Sequence, residues 1–195
     1  IKSKRISQTV KLVNVKGNSK VLDIGCGTGS LLYLLSIDRT LKLFGIDISK
    51  EMLEIARDIL DKKAELKLDS IRNLLNVYNE NYFDYVLMED VFHHLPDQVR
   101  VVKDARILLR KNGKLVISDF SFGRIGNFIF HKIEPGNSGM LTAPGYRNLF
   151  EENNFREIKQ ERLNLISVYT EGVKWKEEKM KNKKTISGMH CASCG

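Results

Sequence analysis

Three glycines that directly follow a short apolar run are the feature that most constrains the fold of this chain. The run is Lys20-Val-Leu-Asp-Ile24, and the glycines are Gly25, Gly27 and Gly29. A buried parallel strand has this composition. A glycine turn after it lets the backbone bend sharply and present N–H groups to a ligand without a Cβ in the way. The segment therefore predicts a strand, a ligand-binding turn and a helix, in that order.

Strands and helices alternate along the rest of the chain. Further strands are predicted at 41–46, 64–68, 83–88 and 114–118, with a helix capped by Ser49 and another opened by Asp97 that ends near Gly113. A long loop at 120–142, with a short helix at 125–131, precedes a helix at 143–153 and alternating runs at 155–161 and 165–170. We expect an α/β fold with a mostly parallel seven-stranded sheet, a C-terminal antiparallel hairpin and helices on both faces.

Positive charge is concentrated at the two ends of the chain. Of the net charge of +8, residues 1–20 hold six Lys or Arg and no acid, and residues 171–195 hold six Lys and three Glu, so the other 150 residues sum to −1. A nucleic-acid groove spreads basic residues over the working face of the fold. We therefore interpret the ends as solvated and expect no nucleic-acid partner.

Hydropathy along the chain indicates where in the cell the protein is located. No apolar run approaches the roughly 20 residues that a membrane span needs, and the start lacks the apolar region of a secretory signal. We expect a cytoplasmic protein without a membrane segment. The sequence leaves the oligomeric state open.

Asp47 is the second residue that points to a ligand. It follows the second predicted strand, 18 residues after Gly29, where a carboxylate can accept both ribose hydroxyls of an adenosine above the glycine turn. The alternative role is to cap the helix that begins near Ser49. The turn and the carboxylate together predict a nucleotide-like ligand, and a nicotinamide dehydrogenase is compatible with both.

Five segments resemble, in order, the motifs of class I S-adenosylmethionine-dependent methyltransferases, and especially the small-molecule group called methyltransferase type 11. They are VLDIGCGTG at 21–29, GIDIS at 45–49, DS at 69–70, FDYVLMEDVFHHLPD at 83–97 and LLRKNGKLVISDF at 108–120. The resemblance covers about residues 20–170 and implies a Rossmann-like fold. A dehydrogenase fits less well, because its fingerprint needs a small residue one place after Gly29, which Ser30 supplies only weakly, and because no substrate domain follows.

The resemblance implies a role for each matching residue. Asp47 would bind the ribose, Ile48 would pack on the adenine ring, and Asp69 would accept a hydrogen bond from the adenine amino group. Met88 and Glu89 would lie near the sulfonium. The implied binding residues for the cofactor, which leaves as S-adenosylhomocysteine, are Asp23, Gly25, Cys26, Gly27, Gly29, Asp47, Ile48, Asp69, Ser70, Met88 and Glu89.

Methyl transfer asks the protein for alignment, exclusion of water and, where needed, a base. The candidates near the methyl group are Glu89, Asp90, His93 and His94, and His131 and Tyr146 could add to the acceptor pocket. For the two adjacent histidines the alternative is a structural HHLP turn, which is common in the family. The exit of the fourth strand lacks the Asn-Pro-Pro-Tyr motif of enzymes that methylate amino groups of DNA, RNA or glutamine. It also lacks the Pro-Cys motif of cytosine C5 enzymes, and both absences favour a small-molecule acceptor.

The C-terminal residues depart from this pattern. GMHCASCG at 188–195 resembles the opening of a heavy-metal-associated, copper-chaperone-like domain and implies that Cys191 and Cys194 bind Cu(I) or another thiophilic ion. An accidental CxxC on a tail is the alternative. The expected organisation is a basic segment (1–19), a methyltransferase domain (20–170), a linker (171–184) and the truncated start of a metal-binding domain (185–195).

A rival function follows from that organisation: a catalytically silent cofactor-binding module that acts as a metal-responsive partner or carrier. The segment before the first strand also bears on catalysis. Many relatives place a lid helix there, and about 19 residues are present to form one.

Overall fold

The computed structural model describes residues 2–122 and 139–175, which form one seven-stranded sheet flanked by helices. The strand order is β3-β2-β1-β4-β5-β7-β6. The pairs among the first five strands are parallel, and β7 is antiparallel to both β5 and β6. The strands are β1 Lys20–Ile24, β2 Lys42–Asp47, β3 Ala64–Leu68, β4 Phe83–Glu89, β5 Leu109–Phe120, β6 Phe155–Asn164 and β7 Ser167–Lys174. The predicted fold class is confirmed.

The helices cover both faces of the sheet. They are α1 Lys2–Val13, α2 Ser30–Leu35, α3 Lys50–Leu60, α4 Leu74–Val77, α5 Gln98–Leu108 and α6 Ala143–Glu152, with 3₁₀ turns at Ile71–Asn73 and Phe92–His94. Neighbouring residues of β1 serve opposite faces, because side chains alternate along a strand. Val21 packs with α1, α2 and α3, whereas Leu22 packs with α4, α5 and α6. Burial on both faces explains why the central strands are apolar almost throughout.

Two helix starts follow from their sequences. The Ser49 hydroxyl accepts a hydrogen bond from the Met52 N–H at 3.2 Å, and the Asp97 carboxylate accepts one from the Arg100 N–H at 3.0 Å. Each side chain satisfies a backbone donor that the first helical turn leaves without a partner. Both predicted N-caps are confirmed, and Ser49 fixes the direction in which the chain leaves Asp47.

The end of α5 and the start of β5 differ from the prediction. The helix ends at Leu108, and Leu109 already pairs with Phe83, so the predicted C-terminus near Gly113 was wrong. The next pair in the ladder joins Lys114 to Tyr85, which leaves residues 110–113 as a bulge. Asn112 has φ 63° in this bulge. Residues 110–113 therefore turn within the strand rather than within the helix, and a basic pair before glycine does not distinguish the two cases.

The last strand continues beyond residue 170, into the segment that was predicted as a linker. β7 continues to Lys174, and Glu171, Gly172 and Val173 pair with β5. A Cβ on Gly172 would lie 2.5 Å from a ring carbon of Phe150, so α6 packs directly on this part of the strand. The sheet edge thus needs the residues that we had assigned to a linker.

The basic N-terminal segment forms a packed helix instead of a solvated end. Along α1, Ile6, Thr9 and Val13 are buried at helical spacing, while Lys4 and Lys11 are exposed. Arg5 is only 4% exposed. This pattern is that of an amphipathic helix, and it places one charged side chain inside the domain.

Some predictions fall outside the part of the chain that the structure describes. They concern the short helix at 125–131, His131, and the C-terminal residues with Cys191 and Cys194. Within the described ranges, none of the helices has the length and apolar character needed to span a bilayer.

Candidate active site

The carboxyl ends of β1 and β4 meet at the centre of the sheet, where the strand order reverses. From β1 the chain proceeds outward through β2 and β3 and then returns to β4 on the other side. Parallel α/β sheets bind ligands in the crevice at such a switch point. Gly25 and Asp90, which follow β1 and β4, and Asp47, the last residue of β2, therefore border the site.

The three glycines of the turn all have positive φ, at 71°, 51° and 76°, but they differ in their surroundings. A Cβ on Gly25 would lie 2.4 Å from Val91 Cγ2, and one on Gly29 would lie 2.9 Å from Leu60 Cδ1. A Cβ on Gly27 would meet no described heavy atom within 4 Å. Gly25 and Gly29 thus allow close packing, whereas Gly27 presents its backbone to open space in which a ligand can lie.

Asp47 is held in place by backbone donors. Its Oδ2 accepts a hydrogen bond from the Gly27 N–H at 2.8 Å, and its Oδ1 accepts one from the Ser49 N–H at 2.9 Å. Each carboxylate oxygen can accept a second hydrogen bond. The two roles considered for Asp47 are compatible, because the contacts that orient it leave acceptor capacity for ribose hydroxyls.

The carboxylate of Asp23 is buried and incompletely hydrogen-bonded among the described residues. It is 2% exposed, and no described residue hydrogen-bonds its Oδ1. Burial raises the pKa of Asp23 well above its usual value, and the nearby charges of Glu89 and Asp47 raise it further. An ammonium group at this position would supply both a donor and a compensating charge.

The adenine side of the site is more open. Asp69 Oδ1 accepts hydrogen bonds from the Ser70 N–H at 2.6 Å and from Asn73 Nδ2 at 2.7 Å, which fixes its carboxylate at the exit of β3. Ile48 is 77% exposed beside Asp47. An exposed apolar side chain next to two oriented carboxylates suits a flat aromatic ring that hydrogen-bonds at its rim.

Two predicted cofactor residues lie mainly in the core. The Met88 side chain is 1% exposed and packs in the apolar cluster beneath the site, so any contact with a cofactor would come from its backbone. Cys26 packs against Gly45, and a Cβ on Gly45 would lie 2.8 Å from the Cys26 Sγ. Burial raises the pKa of the Cys26 thiol, which keeps it protonated and unreactive.

The exit of β4 is joined to α1 by charged hydrogen bonds. Arg5 Nε donates to Glu89 Oε1 at 2.9 Å, and the Thr9 hydroxyl donates to Glu89 Oε2 at 2.9 Å. Burial raises the pKa of Glu89, and the hydrogen bond with Ser118 and the charge of Arg5 oppose that rise. Both carboxylate oxygens of Glu89 therefore face the N-terminal helix.

Arg5 serves a second carboxylate. Its Nη2 lies 2.7 Å from Asp90 Oδ2, and its guanidinium lies 4.8 Å from the centre of the Phe120 ring. Burial alone would lower the pKa of Arg5, but Asp90 and Glu89 together raise it. The three side chains form an ion cluster, in which Arg5 and Glu89 are buried and Asp90 is partly buried, and which we call the Arg5 cluster (Arg5, Glu89 and Asp90).

The two adjacent histidines have different environments. His93 is 1% exposed, and its Nδ1 lies 2.7 Å from Asp119 Oδ1, while its backbone N–H donates to Asp119 Oδ2 at 2.9 Å. His94 is exposed, and its ring centre lies 3.9 Å from that of His93. Of the two, His94 is the side chain that a bound acceptor can reach.

Sequence reasoning missed Arg5, Thr9 and Asp119. The basic end concealed Arg5, although its spacing to Ile6 and Thr9 on one helical face was a usable signal. Asp119 lies in a segment that resembled the family, yet only the contact between the ends of β4 and β5 pairs it with His93. Asp90, His93 and Asp119 also have metal-ligand chemistry, with one ligand atom of each within 4.8 Å of the others. In this geometry Asp90 faces Arg5, and Asp119 faces His93.

These features agree with comparison to known proteins. A family described as "methyltransferase domain" matches residues 15–183, which is most of the chain. This chain belongs to the methyltransferase domain family. The match begins after α1, five residues before β1, and includes all seven strands.

A demethylmenaquinone methyltransferase of Oceanobacillus iheyensis is 34% identical over 152 residues, covering 71% of this chain and 62% of the relative. The chain thus spans less than two thirds of that protein. Among solved structures, phosphoethanolamine N-methyltransferase 2 of Haemonchus contortus with S-adenosyl-L-methionine has a TM-score of 0.74 at 15% identity, covering 87% of this chain and 53% of that one. A SAM-dependent methyltransferase of Archaeoglobus fulgidus has a TM-score of 0.71 at 17% identity, covering 87% and 94%.

Proposed function

We propose that this domain binds S-adenosylmethionine over the glycine turn and transfers its methyl group to a small aromatic acceptor that carries a hydroxyl group. The observation that carries the proposal is the combination of open space at Gly27 with two buried or oriented carboxylates, Asp23 and Asp47, at the switch point of the sheet. A glycine turn with a purely structural role would need neither the open space nor the two carboxylates.

The residues present fit this cofactor. Asp47 would accept the ribose hydroxyls, Asp69 the adenine amino group, and Ile48 would pack on the adenine ring. Asp23 and the backbone at Gly27 would hold the amino acid part, which brings an ammonium to the Asp23 carboxylate. The fit rests on Asp23 Oδ1, because a buried carboxylate oxygen without a partner among the described residues costs stability unless a ligand satisfies it.

Charge supports the same ligand. The charges of Glu89 and Asp47 both act on Asp23, and Arg5 acts in the opposite direction on Glu89. In a site of low dielectric, neighbouring like charges favour a cationic ligand. When bound, S-adenosylmethionine supplies a methyl group on a positively charged sulfonium, and the electron pair of the broken carbon–sulfur bond stays on sulfur. The carboxylates would therefore hold the donor form more strongly than the neutral thioether product.

The acceptor side favours an aromatic, uncharged molecule. Phe120 and Phe122 stack with ring centres 6.0 Å apart at the exit of β5, and the Ser121 N–H between them donates to the Ile166 carbonyl. Arg5, a cation at this edge, is already paired with two carboxylates. A phosphate would therefore have to compete with Glu89 and Asp90 for it, whereas a flat ring could pack against the phenylalanines.

The chain's own side chains would then complete the reaction. The acceptor oxygen would form its bond to the methyl carbon, and its proton would pass to a base at the reaction edge. We assign that base to His94, because it is exposed beside the exit of β4 while His93 is buried. Glu89 and Asp90 are bound to α1 and would shape the site instead of taking the proton.

Binding of the demethylated product, S-adenosylhomocysteine, tests the cofactor assignment. At a product concentration 100 times Kd, linkage predicts about 2.7 kcal/mol of stabilisation, or a rise in Tm of about 5 to 10 °C for a chain of this size. Asp47→Asn should abolish the rise, because the new amide group must face backbone N–H donors at Gly27 or Ser49. Asp58→Asn on the exposed face of α3 makes the same chemical change and should leave the rise intact. An unchanged Tm in the unmutated chain would refute cofactor binding.

Transfer of a labelled methyl group tests the acceptor. With labelled S-adenosylmethionine, we expect label in 1,4-dihydroxynaphthalene and none above background in phosphoethanolamine. Phe122→Ala should raise KM for the naphthalene diol several-fold, because it removes one of the two stacked rings. Preferential labelling of phosphoethanolamine would contradict the aromatic assignment while leaving methyl transfer in place.

A further inference from the structure

A buried carboxylate, a buried imidazole and an exposed imidazole form a continuous row at the reaction edge. The row consists of Asp119, His93 and His94, and we call it the histidine row. We propose that Asp119 and His93 are positioning residues, which fix the ring of His94 where it can take the acceptor's proton. This inference rests on the proposed function, and it adds two residues on which the placement of the base depends.

Asp119 determines the orientation of His93. Its carboxylate is completely buried at the end of β5 and contacts both the ring Nδ1 and the backbone N–H of His93, at 2.7 and 2.9 Å. The Phe120 N–H donates to the same carboxylate at 2.6 Å, which fixes its rotation. A carboxylate at Nδ1 selects the tautomer that carries a proton there. We therefore assign the Nδ1–H form to His93.

His93 in turn supports His94. Their ring centres are 3.9 Å apart with an interplanar angle of 42°, and the edge contact with Phe120 confines His93 from another side, at 5.4 Å. The His94 N–H donates to the Val91 carbonyl at 3.0 Å, which fixes the backbone of the turn. With the backbone fixed and one side of its ring against His93, the His94 side chain has few orientations left.

The row joins two residues that follow one strand to a residue of another strand, so it is more than a local turn. His93 and His94 follow β4, whereas Asp119 is the second-last residue of β5 and pairs with Val168 of β7. A structural HHLP turn could be held by its own backbone hydrogen bonds, as the His94 and Leu95 N–H groups show. The buried carboxylate adds orientation of an imidazole, which a turn alone does not need.

Asp119→Asn tests the row. With the full chain and 1,4-dihydroxynaphthalene as acceptor, we expect kcat to fall about tenfold or more, as when other orienting carboxylates are lost. KM and the Kd of S-adenosylhomocysteine should stay within twofold, since the side chain of Asp119 is completely buried and out of reach of either ligand. Asp97→Asn, the matched change at an exposed cap three residues after His94, should leave kcat unaltered. Equal kcat in Asp119→Asn and the unmutated chain would overturn the proposal.

Nuclear magnetic resonance of ¹⁵N-histidine-labelled chain gives a readout that a purely structural role would not move. We expect His93 in the Nδ1–H form in the unmutated chain, loss of that signature in Asp119→Asn, and shifted ring resonances for His94. Unchanged His94 resonances would overturn the proposal whether or not the diol is methylated, which separates this failure from failure of the proposed function.

His93→Gln is the second variant, in case Asp119→Asn does not fold. The glutamine amide can still donate to Asp119, so the buried carboxylate keeps a partner, but the ring against which His94 packs is gone. We expect the same loss in kcat with unchanged binding of S-adenosylhomocysteine. A His93→Gln variant with full kcat would show that His94 needs no support from His93.

Discussion

The proposed cofactor side and the proposed acceptor side of the site are built in different ways. On the cofactor side, Asp47 is oriented by the backbone N–H groups of Gly27 and Ser49, within a stretch of 23 residues between Gly27 and Ser49. On the acceptor side, Glu89 is oriented by Arg5 and Thr9, which lie 84 and 80 residues away along the chain. Backbone N–H donors are present whatever the neighbouring side chains are, whereas the Arg5 cluster depends on the identity of each of its members.

This difference has a consequence for tolerance to change. Loss of one partner from a buried charged cluster leaves the others desolvated without compensation, which costs far more than the cluster contributes as a whole. A turn held by backbone hydrogen bonds loses mainly its conformational preference when one residue changes. The Arg5 cluster should therefore respond to mutation with loss of stability, whereas the cofactor-side residues Gly27 and Asp47 should respond mainly with loss of binding.

Arg5→Met should give the largest effect. Glu89 would stay buried and Asp90 partly buried without their cation, and we expect the free energy of unfolding at pH 7 to fall by about 3 to 5 kcal/mol. Urea denaturation measures it. Lys11→Met, on the exposed face of the same helix, should change it by less than about 0.5 kcal/mol. Adding Glu89→Gln to Arg5→Met should recover part of the loss, and equal stability of Arg5→Met and Lys11→Met would contradict the cluster.

Alanine at two glycines separates packing from ligand approach. Gly29→Ala forces a methyl group to within 2.9 Å of Leu60 at φ 76°, so we expect a loss of about 2 to 4 kcal/mol from strain and overpacking. Gly27→Ala, at φ 51° in open space, should lose only about 1 kcal/mol of stability. Its methyl group would occupy the ligand's space, and Kd for S-adenosylhomocysteine should rise more than tenfold. Calorimetric titration measures Kd, and urea denaturation measures stability. A larger rise in Kd for Gly29→Ala together with a larger loss of stability for Gly27→Ala would reject this division of roles.

Asp23→Asn should make the ligand-free protein slightly more stable. Because the pKa of Asp23 is raised in the folded state, the folded chain holds that proton more tightly than the unfolded chain. The free energy of unfolding therefore falls as the pH rises from about 4 through the folded pKa. Glu89 contributes with the same sign.

Removing the Asp23 charge should flatten this slope and raise stability at pH 8 by about 1 kcal/mol, while weakening the binding of S-adenosylhomocysteine. Denaturation at several pH values, beside Asp58→Asn, tests both parts. An Asp23→Asn variant that is less stable at pH 8 and binds normally would show that this carboxylate serves the fold alone.

Much of the cofactor side could be predicted from the sequence because its signals are local. The bounds of β1 and the cap at Ser49 follow from neighbouring residues, and the position of Asp47 follows from the end of β2. The roles of the predicted cofactor residues stay predictions, but the structure places Asp23, Gly27 and Asp47 close together at the switch point of the sheet. Burial of Met88 and Cys26 was not readable, because an apolar strand and a tight turn do not state which side chains face the core.

The acceptor side depended on the tertiary structure. The sequence named Glu89, Asp90, His93 and His94 as a group at one strand exit, but it could not tell that Glu89 and Asp90 face α1 or that His93 is buried while His94 is exposed. Those outcomes depend on which side of the strand each residue takes and on partners from α1 and β5. A basic segment read by its charge alone gives no indication that one of its cations is internal.

The sequence by itself determined the alternation of strands and helices, the glycine turn and the carboxylate after the second strand, because hydrophobic period and glycine placement act over a few residues. The tertiary structure decided which charges are buried together and which imidazole is accessible. Electrostatic pairing in a low-dielectric interior depends on distance in space. Arg5 meets Glu89, and His93 meets Asp119, only when the sheet has formed.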